Sequence, residues 1–471
     1  MARCSDAFNT GRVGYGAPVL ALLLIAVVAA PPRALPEAEL VAFSPRLERF
    51  AEGLPFFDAA GTRVALLRPQ SWREFTHPLL QFDPTSRDSM KAVGVDPTGG
   101  LTVSRRGDLE VACVSLSDPK AYESACETKL KSVGVVTRKT IEGAVVVSAR
   151  DQLNRVLLAY AIKGKISCAA TNHGLTLERV LPELAKLVSA AKPPSEPGFK
   201  AAAELPGVIS IIRPSGSPSG AMSVSSKGLT TTLDAQLNGL ASSLLPKSGP
   251  SPFGSASPAG LAVLRVRLSK SGLSDSLEAF LRRMPGGAQL QAPVEALAPL
   301  MTGNVLIFVH RVEVAKGGLG TAEARARALK LAILVETTDG AAARASLDAL
   351  LEKQQASPKP GPKLGVSGPL AYVYNDESAL NAALAAVPSS VSKQTHALEL
   401  VVDPALLARG LSQVSLLDAI QNPALAGLLA AGTELGPLLV ASESLTGWAD
   451  PTGSGAHRAQ LTWSLKADRF P

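Results

Sequence analysis

Two stretches of the chain carry nearly the same pattern of apolar and polar positions. In residues 109–131, "LEVACVSLSDPKAYESACETKLK", Leu109, Val111 and Cys113 alternate with Glu110 and Ala112. That period of two predicts a strand with one buried face. Asp118 followed by Pro119 then reads as a helix cap and a first helical residue. Tyr122, Ala125, Cys126 and Leu130 continue at helical spacing as one apolar stripe. In residues 329–353 the strand face is Leu329, Leu331, Ile333 and Val335, the cap is Asp339, and the stripe is Ala343, Leu347, Leu350 and Leu351.

Four further pairs of segments match in the same order. Residues 61–75 pair with 260–280, 99–106 with 303–311, 156–165 with 368–377, and 205–214 with 397–404. The ordered pairs predict two tandem copies of one α+β module, at residues 55–242 and 258–467. Strands that neighbour in sequence and are joined by short turns predict an antiparallel or mixed sheet, covered by helices on one face. Residues 30–54 read as an N-terminal linker. Residues 243–257, inside a Pro/Ser/Gly run, read as the linker between modules.

The copies differ at one place. Between "ELVVDP" and the closing strands, the second contains a leucine-rich insert, residues 405–440, where the first has only "SGSPS". The insert reads as short helices broken at Gly410, Asn422-Pro423 and Gly432, and its apolar residues are expected to fill core. The alternative is an apolar groove for an amphiphile or a partner helix, lined by Leu425, Leu428, Leu429 and Leu439.

Residues 17–30, "APVLALLLIAVVAA", follow a weakly basic start and precede a Pro-rich stretch. They read as the core of a signal peptide spanning residues 1–29, cleaved before Ala30. The rival is an uncleaved inner-membrane anchor, because residues 13–32 carry no charge. Either way the chain is expected outside the cytoplasm, periplasmic or extracellular, with membrane contact only through that N-terminal segment. Of 471 residues, 46% are hydrophobic but only 4% aromatic, so a packed core is expected without stacking platforms for bases. The net charge of +7 is scattered, and no nucleic-acid partner is expected.

Export permits a disulfide. Cys113 and Cys126 are the favoured pair, since a helix packed on its preceding strand can bring two Cα atoms within the required ~7 Å. A bridge from Cys168 to either partner is the alternative. No catalytic set is legible: the five histidines lack metal-ligand spacing, and Ser390-x-x-Lys393 lies in a Ser-rich run without its partner motifs. "KGGLGTAEAR" (316–325) has Glu323 where a phosphate loop needs its third Gly, so it reads as a hairpin connection. Arg106-Gly107-Asp108, though an adhesion tripeptide, reads as a turn. No cofactor or metal is expected.

With its Asp118-Pro119 and Asp403-Pro404 units, the layout resembles uncharacterised exported bacterial proteins with repeated strand–DP–helix units. That resemblance implies an envelope setting and no particular activity or site residues. The expected function is a non-catalytic binding or scaffold protein of the bacterial envelope, its partner an envelope protein. The alternative is a periplasmic carrier for a lipid or other amphiphile.

Overall fold

The computed structural model describes residues 33–470 except 45, 50–53, 65–80, 173–176, 191–196, 204, 206–208, 215–218, 239–248, 254–258, 269–290, 316–317, 355–362, 388–391, 422–424 and 453–455. The candidate signal peptide and anchor lie outside the described residues; among the described residues no helix is long and apolar enough to cross a membrane. The chain divides into two compact units, one up to Gly239 and one from Leu240.

The first unit opens with β1 (Leu40–Ser44), α1 (Leu54–Gly61), α2 (Arg87–Ala92), β2 (Leu101–Arg106), β3 (Leu109–Ser115) and α3 (Pro119–Val133). It continues through β4 (Val135–Ile141), β5 (Ala144–Arg150), β6 (Val156–Lys163), β7 (Ile166–Asn172), α4 (Leu181–Ser189) and α5 (Pro197–Ala203). It closes with β8 (Ile209–Arg213), β9 (Ser219–Lys227) and β10 (Thr230–Asn238). The strands pair antiparallel in the order β4-β5-β6-β7-β3-β2-β1-β8-β9-β10.

The second unit begins with β11 (Gly249–Ser251), β12 (Ala262–Arg267), α6 (Gln291–Leu297), β13 (Met301–Val312), α7 (Ala322–Ala328) and β14 (Leu329–Thr337). Then come α8 (Gly340–Gln354), β15 (Lys363–Ser367), β16 (Leu370–Tyr374), α9 (Glu377–Ala385), β17 (Ser392–Gln394) and β18 (Leu398–Val402). Last are α10 (Pro404–Leu411), α11 (Leu416–Gln421), α12 (Ala426–Val440), β19 (Ser442–Pro451) and β20 (Ala456–Leu465). Its antiparallel order is β15-β16-β14-β13-β12-β18-β19-β20, with a separate ribbon of β11 and β17.

The class is therefore α+β with antiparallel sheets, and both predicted caps form. Asp118 accepts hydrogen bonds from the N–H groups of Lys120 (3.0 Å) and Ala121 (3.1 Å). Asp339 does the same for Ala341 (2.9 Å) and Ala342 (3.0 Å). Each satisfies donors that the first helical turn leaves open.

The expectation of helices on one face is corrected: each sheet is covered on both. In the first unit, Leu184, Ala185 and Val188 of α4 pack on Val111, Ala159 and Ala170. On the opposite face, the Tyr122 ring of α3 meets the Tyr160 ring of β6 edge-on, with centroids 6.4 Å apart. In the second unit, Ala343 and Leu347 of α8 lie with Ile307, Ile333 and Val335, whereas Ala379 and Leu380 of α9 lie with Phe308, Ala332 and Leu334. The reason is visible in β3, where Leu109 through Val114 are all buried. Ala112 is small and gives little apolar signal, so a doubly covered strand reads as an alternating one.

Two linker boundaries are also corrected. Residues 40–44, inside the expected 30–54 linker, form a strand hydrogen-bonded between β2 and β8, with Val41 fully buried. Within the expected 243–257 linker, Gly249–Ser251 pairs with β17, and Phe253 is buried in the core beside Val263 and Phe308. Pairing uses only backbone groups, which Gly and Ser supply as well as any residue, so composition hides it. Arg106-Gly107-Asp108 does turn the chain, since Arg106 pairs with Leu109 across β2 and β3. Its Arg106 holds Glu183 in a two-point ion pair, at 2.9 and 2.8 Å. Residues 316–325 connect β13 and β14, which pair, and the connection contains α7.

Candidate functional site

Strands β18 and β19 are hydrogen-bonded neighbours, with Val402 opposite Leu445, yet α10, α11 and α12 intervene between them. The first of these helices starts on a strong local signal. Asp403 accepts from the N–H groups of Ala405 (2.8 Å) and Leu406 (3.0 Å), and Pro404 takes the first helical position. In α12, Gly432 allows the close approach of α10: a Cβ there would stand 3.1 Å from the Leu411 carbonyl oxygen. Only one residue of α12, Glu434, carries a charge.

Polar residues fasten this insert to the connection between β13 and β14. The Gln413 side chain accepts from Val314 N–H at 2.8 Å and donates to the Val312 carbonyl at 3.0 Å. The buried Asp418 carboxylate accepts from Leu319 N–H and from the amide (2.9 Å) and hydroxyl (2.6 Å) of Ser415. These bonds, that from Leu319 foremost, hold its pKa below the ordinary aspartate value. Gly318 makes the approach feasible, because a Cβ there would sit 2.5 Å from Asp418 Oδ1 and its φ is +73°. Behind these bonds Leu319, Ala328, Val414 and Leu425 form a small core, with Leu429 partly buried against it.

The clamp turns α11 inside out. With Asp418 and Ala419 directed inward, Leu416, Leu417 and Ile420 are left 67%, 62% and 69% exposed. Leu428 and Val440 of α12 are exposed at 45% and 54%. The four residues expected to line a groove do not share one. Leu425 and Leu439 are buried, Leu429 is half-buried and Leu428 is exposed. The expectation that the insert is core filling holds for Leu425, Leu438 and Leu439 and fails for Leu428 and for the apolar positions of α11. The signal for the exposed set was Asp418 itself, the one acid among five other residues of α11. The carboxylate can be buried because Leu319 N–H and the amide and hydroxyl of Ser415 replace its water donors.

The cysteines are paired differently from expectation. Cys113 is bonded to Cys168, and the two face each other across β3 and β7 with Cα atoms 4.0 Å apart. Cys126 is a buried free thiol whose pKa is pushed far up by desolvation. Cys113 faces the α4 side of the sheet, among Val111, Ala170 and Leu184, while α3 brings Cys126 to the opposite side beside Tyr122. The sheet stands between the two sulfurs.

A second polar cluster surrounds residues 395–399. The His396 ring stacks on Trp448 with centroids 4.3 Å apart, and its Nδ1 lies 2.6 Å from Asp450 Oδ2. Asp450 also accepts from Ala397 N–H (2.7 Å), and Glu399 accepts from the amide (3.1 Å) and hydroxyl (3.0 Å) of Thr395. These carboxylates fasten the turn leading into β18. Among the described residues, no group of three or more His, Cys, Asp or Glu side chains is placed to hold a metal ion. Ser390 of the Ser-x-x-Lys pattern, with His77 and His173, lies outside the described residues.

No protein-family model, no curated protein and no solved structure matches the chain.

Proposed function

We propose that this chain is a non-catalytic, exported binding or scaffold protein of the bacterial envelope, engaging an envelope partner through its helical insert. The observation that carries the reading is the exposed apolar set Leu416, Leu417, Ile420, Leu428 and Val440 on helices pinned to the second unit. Leu416, Leu417 and Ile420 stand together on α11, and a patch of exposed apolar side chains on a folded protein marks a contact site. Export rests on the apolar segment at residues 17–30, and the Cys113–Cys168 bridge suits an oxidising compartment. A carrier for a lipid or other amphiphile is the second reading, favoured by the near absence of charge along α12.

The two units are copies of one module in this reading. Supporting it, the order β15-β16-β14-β13-β12-β18-β19-β20 corresponds strand for strand to β6-β7-β3-β2-β1-β8-β9-β10. Strands β4 and β5 are then an addition to the first copy, and the insert an addition to the second. This correspondence moves the start of the first copy to β1, well before residue 55.

A photoreactive phenylalanine analogue tests the role of the insert. Placed at Leu417 or Ile420 and irradiated in cells, it should give a discrete protein adduct. At Leu153, an equally exposed leucine in the β5–β6 turn of the first unit, it should give none. Adducts of lipid mass from the insert alone would favour the carrier. Identical patterns from all three positions would overturn both readings.

A further inference from the structure

The first unit contains a cleft of about 600 Å3, with Arg46, Glu48 and Arg49 on one wall. Thr85, Arg87 and Met90, from the segment that includes α2, make the other wall. A volume of that size accommodates a small organic molecule. Both walls are held from behind. Leu47 is fully buried, its N–H donates to the Gly99 carbonyl (3.0 Å), and Glu48 N–H donates to Pro97 (2.7 Å). On the opposite side Met90 is 1% exposed, and Asp83 accepts from both the amide (2.8 Å) and the hydroxyl (2.6 Å) of Thr85. The backbone that carries the charged side chains is thus set by packing and hydrogen bonds on both walls.

Between the walls stands one carboxylate. Glu48 Oε1 is 2.5 Å from an Arg46 nitrogen, and Glu48 Oε2 is 3.7 Å from Arg87. Glu48 therefore spaces two guanidinium groups that come from segments far apart in sequence. With Arg49, three arginines drawn from one of the two segments or the other line the cleft. Guanidinium groups match phosphate oxygens in two-point geometry, and a charge-assisted bond is about twice as strong as a neutral one. A partly exposed ion pair is by itself worth little, so an incoming dianion has only a weak internal partner to displace.

We propose that this cleft is a phosphomonoester-binding site, with Arg46 and Arg87 as the residues that take the phosphate oxygens. It is separate from the insert, and its success or failure leaves the reading of the insert untouched. The phosphate group could belong to a small soluble ester or to a lipid headgroup.

The test uses the full chain without its N-terminal 29 residues. Glycerol 3-phosphate is titrated calorimetrically, and flotation is measured with phosphatidylcholine vesicles with and without phosphatidic acid. Saturable binding of one phosphate ester per chain is expected from at least one of the two probes. Because the Arg46 and Arg87 side chains are 44% and 60% exposed, the double variant Arg46→Gln/Arg87→Gln should fold normally by circular dichroism. It should lose about tenfold or more in affinity, the scale of one charge-assisted hydrogen bond. The control Arg138→Gln removes an exposed arginine paired with Glu123 on the same unit and should bind as the parent does. Binding of glycerol 3-phosphate identifies a soluble ester, and binding of phosphatidic acid vesicles alone identifies a headgroup. No saturable binding of either probe, or equal weakening by the control, overturns the proposal.

Discussion

Cys113 and Cys126 are separated by one turn of chain and the first half of α3, yet they occupy opposite faces of the same sheet. Their fate turns on the alternation of side chains along a strand. Cys168 sits opposite Cys113 in the β3–β7 register and reaches it directly, whereas α3 covers the other face. A non-reduced digest should therefore yield a Cys113–Cys168 peptide, and Cys126 should react with an alkylating reagent only after unfolding. Replacing Cys168 by Ala should destabilise the protein by about 2–5 kcal/mol, while Cys126→Ser should leave the bridge intact. A Cys113–Cys126 peptide in the digest would contradict the strand register. The apolar pattern correctly marks both as interior. It cannot say on which face each is interior.

At the scale of elements, α11 shows how one polar residue can reverse an amphipathic pattern. The segment "LLDAIQ" reads as apolar filling, yet Asp418 is buried and three of its apolar neighbours are exposed. The folded-state pKa of Asp418 is lowered, so its contribution to stability is complete above the unfolded value near ~4 and is lost as pH falls through the folded value. Asp418→Ala leaves Leu319 N–H and Ser415 without their acceptor and should cost about 1–3 kcal/mol near neutral pH. Measured by urea denaturation, the gap between parent and variant should narrow steadily below about pH 4. A gap that stays constant down to about pH 2 would show that the carboxylate charge does not hold the clamp.

For the whole molecule, five ordered segment pairs were legible in the sequence, but their strand assignments were uneven. The pairs beginning near 109 and 329, near 99 and 303, and near 205 and 397 fall on β3 and β14, β2 and β13, and β8 and β18. Most of the pair 61–75 with 260–280 lies outside the described residues. The pair 156–165 with 368–377 falls on β6, the first strand of the hairpin β6–β7, and on β16, the second strand of the hairpin β15–β16. Hairpin strands of similar composition are interchangeable to a pattern search, whereas hydrogen-bond partners are not. Export belongs at this scale too. Residues 1–40 fused to a reporter that is active only outside the cytoplasm should make it active, with the mature N-terminus near Ala30. A reporter retained in the cytoplasm would remove the envelope setting on which the proposed function rests.

Read alone, the sequence determined the α+β class, the caps at Asp118 and Asp339 and the turn at Arg106-Gly107-Asp108. All of these are local: a carboxylate two or three residues before a free amide, or a period of two across a few positions. Tertiary structure alone decided which cysteine meets Cys113, that helices cover both faces, and that β1 and β11 are strands rather than linkers. It also decided which leucines of the insert face water and that three arginines from two segments line one cleft. Each of these depends on what lies across a sheet or beyond a loop, and the period of a side-chain pattern reports that a residue is covered without reporting by what.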